Sequence, residues 1–334
     1  MARSAIRVTE VARIASVSPA TVSRVINHPE LVSKSTVEQV QTALKQLGYA
    51  IPLPQINPES EKKVIIVNRP QGVNPFYDDV IQGAIVSAAA HGYYLIFNYD
   101  YLNRSNIDNF CQLISRINAS GIITLNQLSE DLLYQLDSIA PLVQCCEYNS
   151  ECNLPYVSID DCAAAVKAVN FLISAERNKI AFVNGPLRFK YARKRLEGFM
   201  QAMADANLSI PSSWIIQVPE INYDMAYTAV SQLLSTSEKP NAFFAASDVL
   251  AAAIINAAHR YKLHIPEDIM VVGFDNIMIS TIVRPAITTI NQPKFQLGYT
   301  ACEMLVERIH NPNSKPRSMT LGTELIVRDS AKMI

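Results

Sequence analysis

The densest polar chemistry near the start of the chain is the run Val17-Ser18-Pro19-Ala20-Thr21-Val22-Ser23-Arg24-Val25-Ile26-Asn27. Ser18 can cap a helix with its hydroxyl, and Pro19 then takes the first helical position, where a missing N–H costs nothing. Val22, Val25 and Ile26 fall at i, i+3 and i+4 and make one apolar stripe. The other face carries Ala20, Thr21, Ser23, Arg24 and Asn27, short or cationic side chains that let a helix approach a groove and donate to phosphates or base edges. A short surface helix in any small bundle fits the same residues, so the neighbours have to decide.

A second set of groups suits a small ligand. Ser247-Asp248 and Gly273-Phe274-Asp275-Asn276 each follow an apolar run of strand type, which puts both carboxylates at strand carboxyl ends, where open α/β sheets bind ligands. Glu147 and Tyr148 hold a comparable position after Leu142-Val143-Gln144-Cys145. Phe76 and Tyr77, behind Asn74-Pro75, can stack on a flat ligand or a sugar face. Equally, Asn74 can serve only as a helix cap with Phe76 in the core, and Asp248 can cap its own helix. No catalytic constellation emerges. The histidines (His28, His91, His259, His264, His310) are scattered without metal spacing, and there is no GxSxG, HExxH, Walker A or GxGxxG pattern. No enzyme activity, metal or cofactor is expected.

Elements that could position these groups follow from periodicity. Val8, Val11, Ala12 and Ala15 predict a first helix ending near Ser16. Ser35 and Glu38 suggest a capping box for a third helix, with Val37, Val40, Leu44 and Leu47 inward and Gly48 as its stop. Three short helices, the second with a bare polar face, make a helix-turn-helix domain. From Lys63 strands and helices alternate: Val64–Val67, helix 75–91, Tyr94–Phe97, helix 107–117, Gly121–Thr124, then Leu142–Cys145. The rhythm restarts at Tyr156–Ile159 and runs through helix 162–173, Ile180–Val183, helix 191–206, Trp214–Ile216, Ala242–Ala245 and Met270–Gly273. Two such halves imply two doubly wound lobes with a cleft between them.

Length and composition agree with this division. A chain of 334 residues with 49% hydrophobic content can bury a sizeable core. Its formal net charge of −1 excludes a protein that is basic all over, yet six basic residues stand against three acidic ones through Ala50. Any nucleic-acid contact is therefore expected at the N-terminus. The six cysteines form no CxxC pair, the N-terminus has no signal-peptide pattern, and no apolar run approaches the ~20 residues that span a bilayer. A cytoplasmic protein without membrane contact is expected.

At Val11-Ala12, Val17-Ser18, Thr21 to Asn27, Val32-Ser33 and Gly48-Tyr49 the sequence resembles the lactose-repressor (LacI) family of bacterial regulators. The resemblance implies an α/β two-lobed periplasmic-binding-protein-like core behind an N-terminal all-α helix-turn-helix domain. It implies a homodimeric repressor that binds double-stranded operator DNA under small-molecule control. Ser18, Pro19, Ala20, Thr21, Ser23, Arg24 and Asn27 inherit the DNA-facing positions. Pro19 and Ala20 can offer only apolar contact, such as to a thymine methyl, so direct readout falls mainly on Arg24. In the core, Tyr191 and Arg195 match the family segment whose last Arg before the Gly grips effector, with Asp275 as hydroxyl acceptor opposite. Phe76, Tyr77, Glu147, Ser247, Asp248 and Gln292 complete the expected effector site, Gln292 as either hinge or ligand contact. The surplus Arg188, Lys190, Arg193 and Lys194 reads as a solvated face.

The domains expected on this basis are 1–50 (DNA-binding), 51–62 (linker) and 63–334 (effector-binding and dimerisation core). The family's three lobe crossings place about 63–160 and 292–317 in lobe 1 and about 161–291 and 318–334 in lobe 2, with one last strand from Met319 to Val327. Two departures stand out. Ser16 occupies a turn where the family often has Gly, and Pro52, Pro54 and Pro58 disfavour the family's hinge helix, leaving an extended linker in which Leu53 or Ile56 could still act as a wedge. Glu147-Tyr148, Asn153-Leu154-Pro155, Pro266-Glu267-Asp268 and the linker resemble the cytidine-responsive nucleoside-repressor branch, which ranks a nucleoside above a free sugar as effector. A periplasmic-type solute-binding protein and a nucleoside or sugar hydrolase share the core and are the rival readings.

Overall fold

The structure, a computed structural model, describes residues 8–27, 32–47, 63–71, 74–313 and 315–332. It divides into two units, residues 1–61 and 62–334.

The first unit contains α1 (Val8–Ile14), α2 (Pro19–Asn27) and α3 (Lys34–Gln46). Val11, Ala12 and Ala15, Val22 and Val25 of α2, and Val37, Val40, Ala43 and Leu44 of α3 form its core. The Ser18 hydroxyl accepts the Thr21 N–H at 3.1 Å, so the expected cap of α2 is made. Ser16 in the turn has φ 54°, a left-handed backbone that costs a non-glycine residue on the order of 1 kcal/mol. The cap of α3 corrects the sequence reading: Ser33, not Ser35, accepts the Thr36 N–H, at 3.3 Å. Ser33 has the extended backbone that a cap requires, whereas Ser35 already lies inside the helix. Gly48 and the linker 51–62, with Leu53 and Ile56, lie outside the described residues.

The second unit holds two six-stranded sheets. Lobe 1 runs β1 (Lys63–Asn68), α4 (Phe76–Ala90), β2 (Tyr93–Asn98), α5 (Ile107–Arg116), β3 (Gly121–Thr124), α6 (Glu130–Asp137), β4 (Leu142–Cys145) and β5 (Tyr156–Ile159). Lobe 2 runs α7 (Asp161–Ser174), β6 (Ile180–Asn184), α8 (Lys190–Asp205), β7 (Ile215–Gln217), α9 (Tyr223–Leu234), β8 (Ala242–Ala245), α10 (Asp248–Arg260), β9 (Met270–Asp275), α11 (Ile279–Ile282) and β10 (Thr288–Asn291). The chain then supplies α12 (Lys294–His310), β11 (Ser318–Leu321) and β12 (Glu324–Ile326). The strand orders, β2-β1-β3-β4-β5-β11 and β7-β6-β8-β9-β10-β12, repeat one another, so both sheets reverse direction at the same place and both turn strand carboxyl ends to the cleft. Central strands β3, β4, β6, β8 and β9 are buried along their whole length, as parallel strands covered by helices on both faces must be.

The expected last strand, Met319 to Val327 in lobe 2, is two strands in two sheets. β11 pairs parallel with β5 of lobe 1, and only after Gly322 does β12 pair antiparallel with β10 of lobe 2. Helix α12 packs on α4 and returns the chain to lobe 1, so the strand that follows fills the free edge beside β5 before the last crossing. Residues 318–321 therefore belong to the lobe 1 sheet rather than to lobe 2.

Candidate functional site

Helix α2 is seated by Val22 and Val25, which are fully buried. Ser18, Pro19, Ala20, Ser23 and Arg24 are exposed and Thr21 is half-buried, so the leading face of the helix is presented outward. Asn27 ends the helix, and its side chain lies outside what is described.

The cleft in the second unit is lined from both lobes. Eight of the nine residues expected to meet an effector line it: Phe76, Tyr77, Glu147, Tyr191, Arg195, Ser247, Asp275 and Gln292. Phe76 and Tyr77 are both mostly buried and meet edge to face, 5.2 Å between ring centroids, so each is core and wall at once. Asn74 likewise lines the cleft while its Oδ1 accepts the Phe76 N–H at 3.1 Å. The Ser247 hydroxyl caps α10 by accepting the Leu250 N–H at 3.3 Å.

Asp248 is the exception and is corrected: it does not line the cleft. Fully buried, it accepts the Thr289 hydroxyl at 2.6 Å and the Ile277 N–H at 2.9 Å, tying the loop after β9 to α10. A Cβ on Gly273 would come within 2.4 Å of Asp248 Oδ1, so glycine is required there for the carboxylate to fit. Burial, reinforced by the Asp275 charge, pushes Asp248 up to about 8. Its position after a strand resembles that of Asp275, but each of its oxygens is engaged inside lobe 2, by Thr289 and by the Ile277 N–H.

Arg195 is held on every side. Its Nε and Nη2 lie 2.9 Å from Asp161 Oδ1, and its Nη1 donates to the Ala246 carbonyl at 2.6 Å. The guanidinium also lies 3.5 Å from the Phe274 ring centroid and 3.6 Å from Asp275 Oδ1. One turn further along α8, a Cβ on Gly198 would sit 2.3 Å from the Cys162 carbonyl. That glycine lets α8 close on α7, which starts at Asp161 and brings its carboxylate to Arg195. Burial pushes Asp161 up, but Lys190 and Arg195 more than offset this and hold it below its ordinary value.

Asp275 sits at φ 104° and Asn276 at φ 52°, backbone that non-glycine residues adopt at a cost of about 1–3 kcal/mol each unless their surroundings over-determine it. Here they do. The Gln292 amide donates to Asp275 Oδ1 at 2.7 Å, Lys294 Nζ donates to the Asp275 and Asn276 carbonyls at 2.8 and 3.0 Å, and Arg328 donates to Asn276 Oδ1 at 2.7 Å. Gln292 is thus both a crossover residue and a wall of the cleft. Burial raises Asp275 to about 6, with Arg195 and Gln292 opposing the rise.

Lys190 corrects the expectation of a solvated cationic face. Its Nζ is buried, donating to Ser158 Oγ at 2.8 Å and to Asp161 Oδ2 at 2.7 Å, and lies 4.8 Å from the Tyr148 ring centroid. Arg193 and Lys194 are exposed. The N-cap residue of α8, Phe189, has no side-chain acceptor, and the cap comes from the other lobe. Glu147 of lobe 1 accepts the Lys190 and Tyr191 N–H groups at 2.5 and 3.1 Å, a carboxylate at the positive end of a helix. Glu147–α8 and Lys190–Ser158 are therefore direct bonds between the lobes. Asp161, Lys190, Cys146 and Ile159 were not singled out from the sequence as site residues. The signal that could have found them is the position each holds at or just past the end of a lobe 1 strand, or at the start of a lobe 2 helix.

Comparison with known proteins covers both units. A family model for bacterial regulatory proteins of the lacI family matches residues 7–51, and one for a periplasmic binding protein-like domain matches residues 169–331. The HTH-type transcriptional repressor CytR of Escherichia coli (strain K12) is 31% identical over 328 residues, 97% of this chain and 96% of CytR. The HTH-type transcriptional repressor PurR of Escherichia coli O1:K1 / APEC is 29% identical over 335 residues, again 97% of this chain and 96% of the relative. Among solved structures, a transcriptional regulator CelR–cellobiose complex aligns at TM-score 0.74 with 26% identity, covering 98% of this chain and 100% of that one.

Proposed function

The chain belongs to the LacI family of bacterial regulatory proteins, and from that premise we propose that it is a sequence-specific DNA-binding transcriptional repressor controlled by a small molecule in its cleft. The observation that carries this reading is the match to a repressor along 97% of the chain, through the helix-turn-helix unit and both lobes. The DNA-facing residues are Ser18, Pro19, Ala20, Thr21, Ser23, Arg24 and Asn27. Pro19 and Ala20 contribute apolar contact, and Arg24 supplies the hydrogen-bonded base readout.

The effector is a nucleoside or a sugar. Phe76, Tyr77 and Tyr191 offer ring faces for stacking, and Arg195, Asp275, Ser247 and Gln292 offer the few fixed polar groups that orient a hydroxylated ligand. Ligand binding biases the two lobes toward one arrangement, and operator affinity changes by the ligand's differential affinity for the two states. The protein acts as a homodimer on a pseudo-palindromic operator in the cytoplasm. Exposed Ile85 and Val86 on α4 and Tyr94 and Ile96 on the edge strand β2 supply apolar surface for the partner copy. Among the described residues no helix is long and apolar enough to cross a membrane. The relatives are named as repressors, and no catalytic role is assigned to the cleft.

Selection of bound fragments from random-sequence DNA tests the reading. The purified chain should enrich a two-fold symmetric motif; failure to enrich any motif contradicts it.

A further inference from the structure

Helix N-termini at the carboxyl ends of parallel strands are the natural anion sites of doubly wound folds. In this cleft four of them are closed by the protein itself, those of α4, α7, α8 and α10, while α12 behind β10 has no side-chain cap. At α8 the free N–H groups of Lys190 and Tyr191 go to the Glu147 carboxylate. At α7 the Asp160 carboxylate accepts the Ala163 N–H at 2.9 Å, and Asp161 adds a second negative charge. At α10 the Ser247 hydroxyl serves, and at α4 Asn74 serves.

The cations are closed off in the same way. Arg195 and Lys190 share the Asp161 carboxylate. Lys294 is turned to two backbone carbonyls and stands 3.8 Å from Asp79, while Arg328 holds the Asn276 side chain and the Ile287 carbonyl. The charged groups lining the cleft are the carboxylates of Glu147, Asp161 and Asp275 against the single guanidinium of Arg195. Lys190 and Lys294 stand behind this wall, each committed to groups of the protein itself.

We propose that Glu147 and Asp161 make the cleft a charge filter, which admits uncharged hydroxylated effectors and rejects their phosphate esters. The inference rests on the effector reading above and narrows it. A phosphate brought into this space finds the termini of α4, α7, α8 and α10 capped and Arg195 already paired, and it faces three carboxylates. An uncharged nucleoside or sugar needs none of these, because hydroxyls can share the existing acceptors. Asp161 and Glu147 act here as specificity determinants through the groups they neutralise.

The test is calorimetric titration of the full chain with matched pairs: adenosine, cytidine and uridine with their 5′-monophosphates, ribose with ribose 5-phosphate, and glucose with glucose 6-phosphate. At least one uncharged member should bind, and its ester should bind at least about 30-fold more weakly, as like charges in a partly desolvated site require. Glu147→Gln keeps the side-chain volume and one acceptor for α8 but removes a charge, and it should narrow that ratio at least about fivefold; Asp161→Asn, if folded by circular dichroism, should do the same. An ester that binds within threefold of its parent, or tighter, overturns the filter and leaves the repressor reading standing. So does a folded Glu147→Gln protein with an unchanged ratio. No binding by any panel member overturns both the filter and the effector reading, whereas a DNA selection that yields no motif sinks only the repressor reading.

Discussion

Helices α2 and α8 each carry an arginine proposed to act in binding, and they treat its charge in opposite ways. Arg24 on α2 is exposed, on a helix whose other face is fixed by Val22 and Val25, which leaves its guanidinium accessible for the proposed base readout. Arg195 on α8 is buried and already bonded to Asp161 and the Ala246 carbonyl. An exposed cation can be removed with little cost to the fold, and its loss is felt in binding. A buried, paired cation is part of the fold, and its removal leaves a buried carboxylate with one cation fewer.

The largest expected effect follows from that contrast. Arg195→Ala leaves Asp161 with Lys190 alone and should cost about 3–5 kcal/mol of core stability by urea unfolding, the range for breaking a buried ion pair. A loss below about 1 kcal/mol, the value of an exposed pair, would erase the distinction between the two helices.

Next comes proton linkage within lobe 2. Folded Asp248 and Asp275 are raised to about 8 and about 6, above the ~3.9 of an unfolded Asp. The folded state therefore holds protons that the unfolded chain gives up. The stability this contributes is complete below about pH 4 and is lost as pH rises through about 6 and then about 8. Thermal melts should show a Tm several degrees higher near about pH 5.5 than near about pH 8.5. Asp248→Asn, which mimics the protonated side chain, should match wild type only near about pH 4, exceed it at about pH 5.5 and exceed it most at about pH 8.5. A variant with the wild-type pH slope would remove Asp248 as its source.

Smaller effects belong to the exposed helix. Arg24→Ala should relax operator choice by ~1–3 kcal/mol at one base pair, read by repeating the DNA selection, with a change in stability below about 0.5 kcal/mol. Unchanged specificity would reject its readout role. Ser18→Ala, which leaves the Thr21 N–H without its cap, should cost ~1 kcal/mol in the N-terminal unit, measured by amide exchange along α2. No change there would mean that water replaces the hydroxyl fully.

The same contrast explains what the sequence made legible. The α2 stripe, the Ser18 cap and the strained turn at Ser16 are encoded within a few neighbouring residues, and local spacing suffices to read them. Central strands are short apolar runs and were equally plain. Where a choice depended on distant partners, spacing failed. Asp248 and Asp275 both follow strands, and what separates them is that Thr289 and the Ile277 N–H occupy the first while the second faces the cleft. Lys190 stands in a basic run that reads as surface, but its partners Asp161 and Ser158 lie 29 and 32 residues away. The stretch 318–327 has no local mark telling which sheet takes it, because both β5 and β10 offered a free edge. Ser33 and Ser35 differ only in backbone geometry, which composition does not specify.

On the proposed function, occupancy of the cleft is read out at the exposed helix. It is tested most directly by fluorescence anisotropy of the selected operator with the full chain, with and without the uncharged ligand that binds most tightly. Operator Kd should change by about 5–150-fold, the range of ordinary allosteric coupling. A ligand that saturates the cleft yet leaves operator Kd unchanged would contradict it.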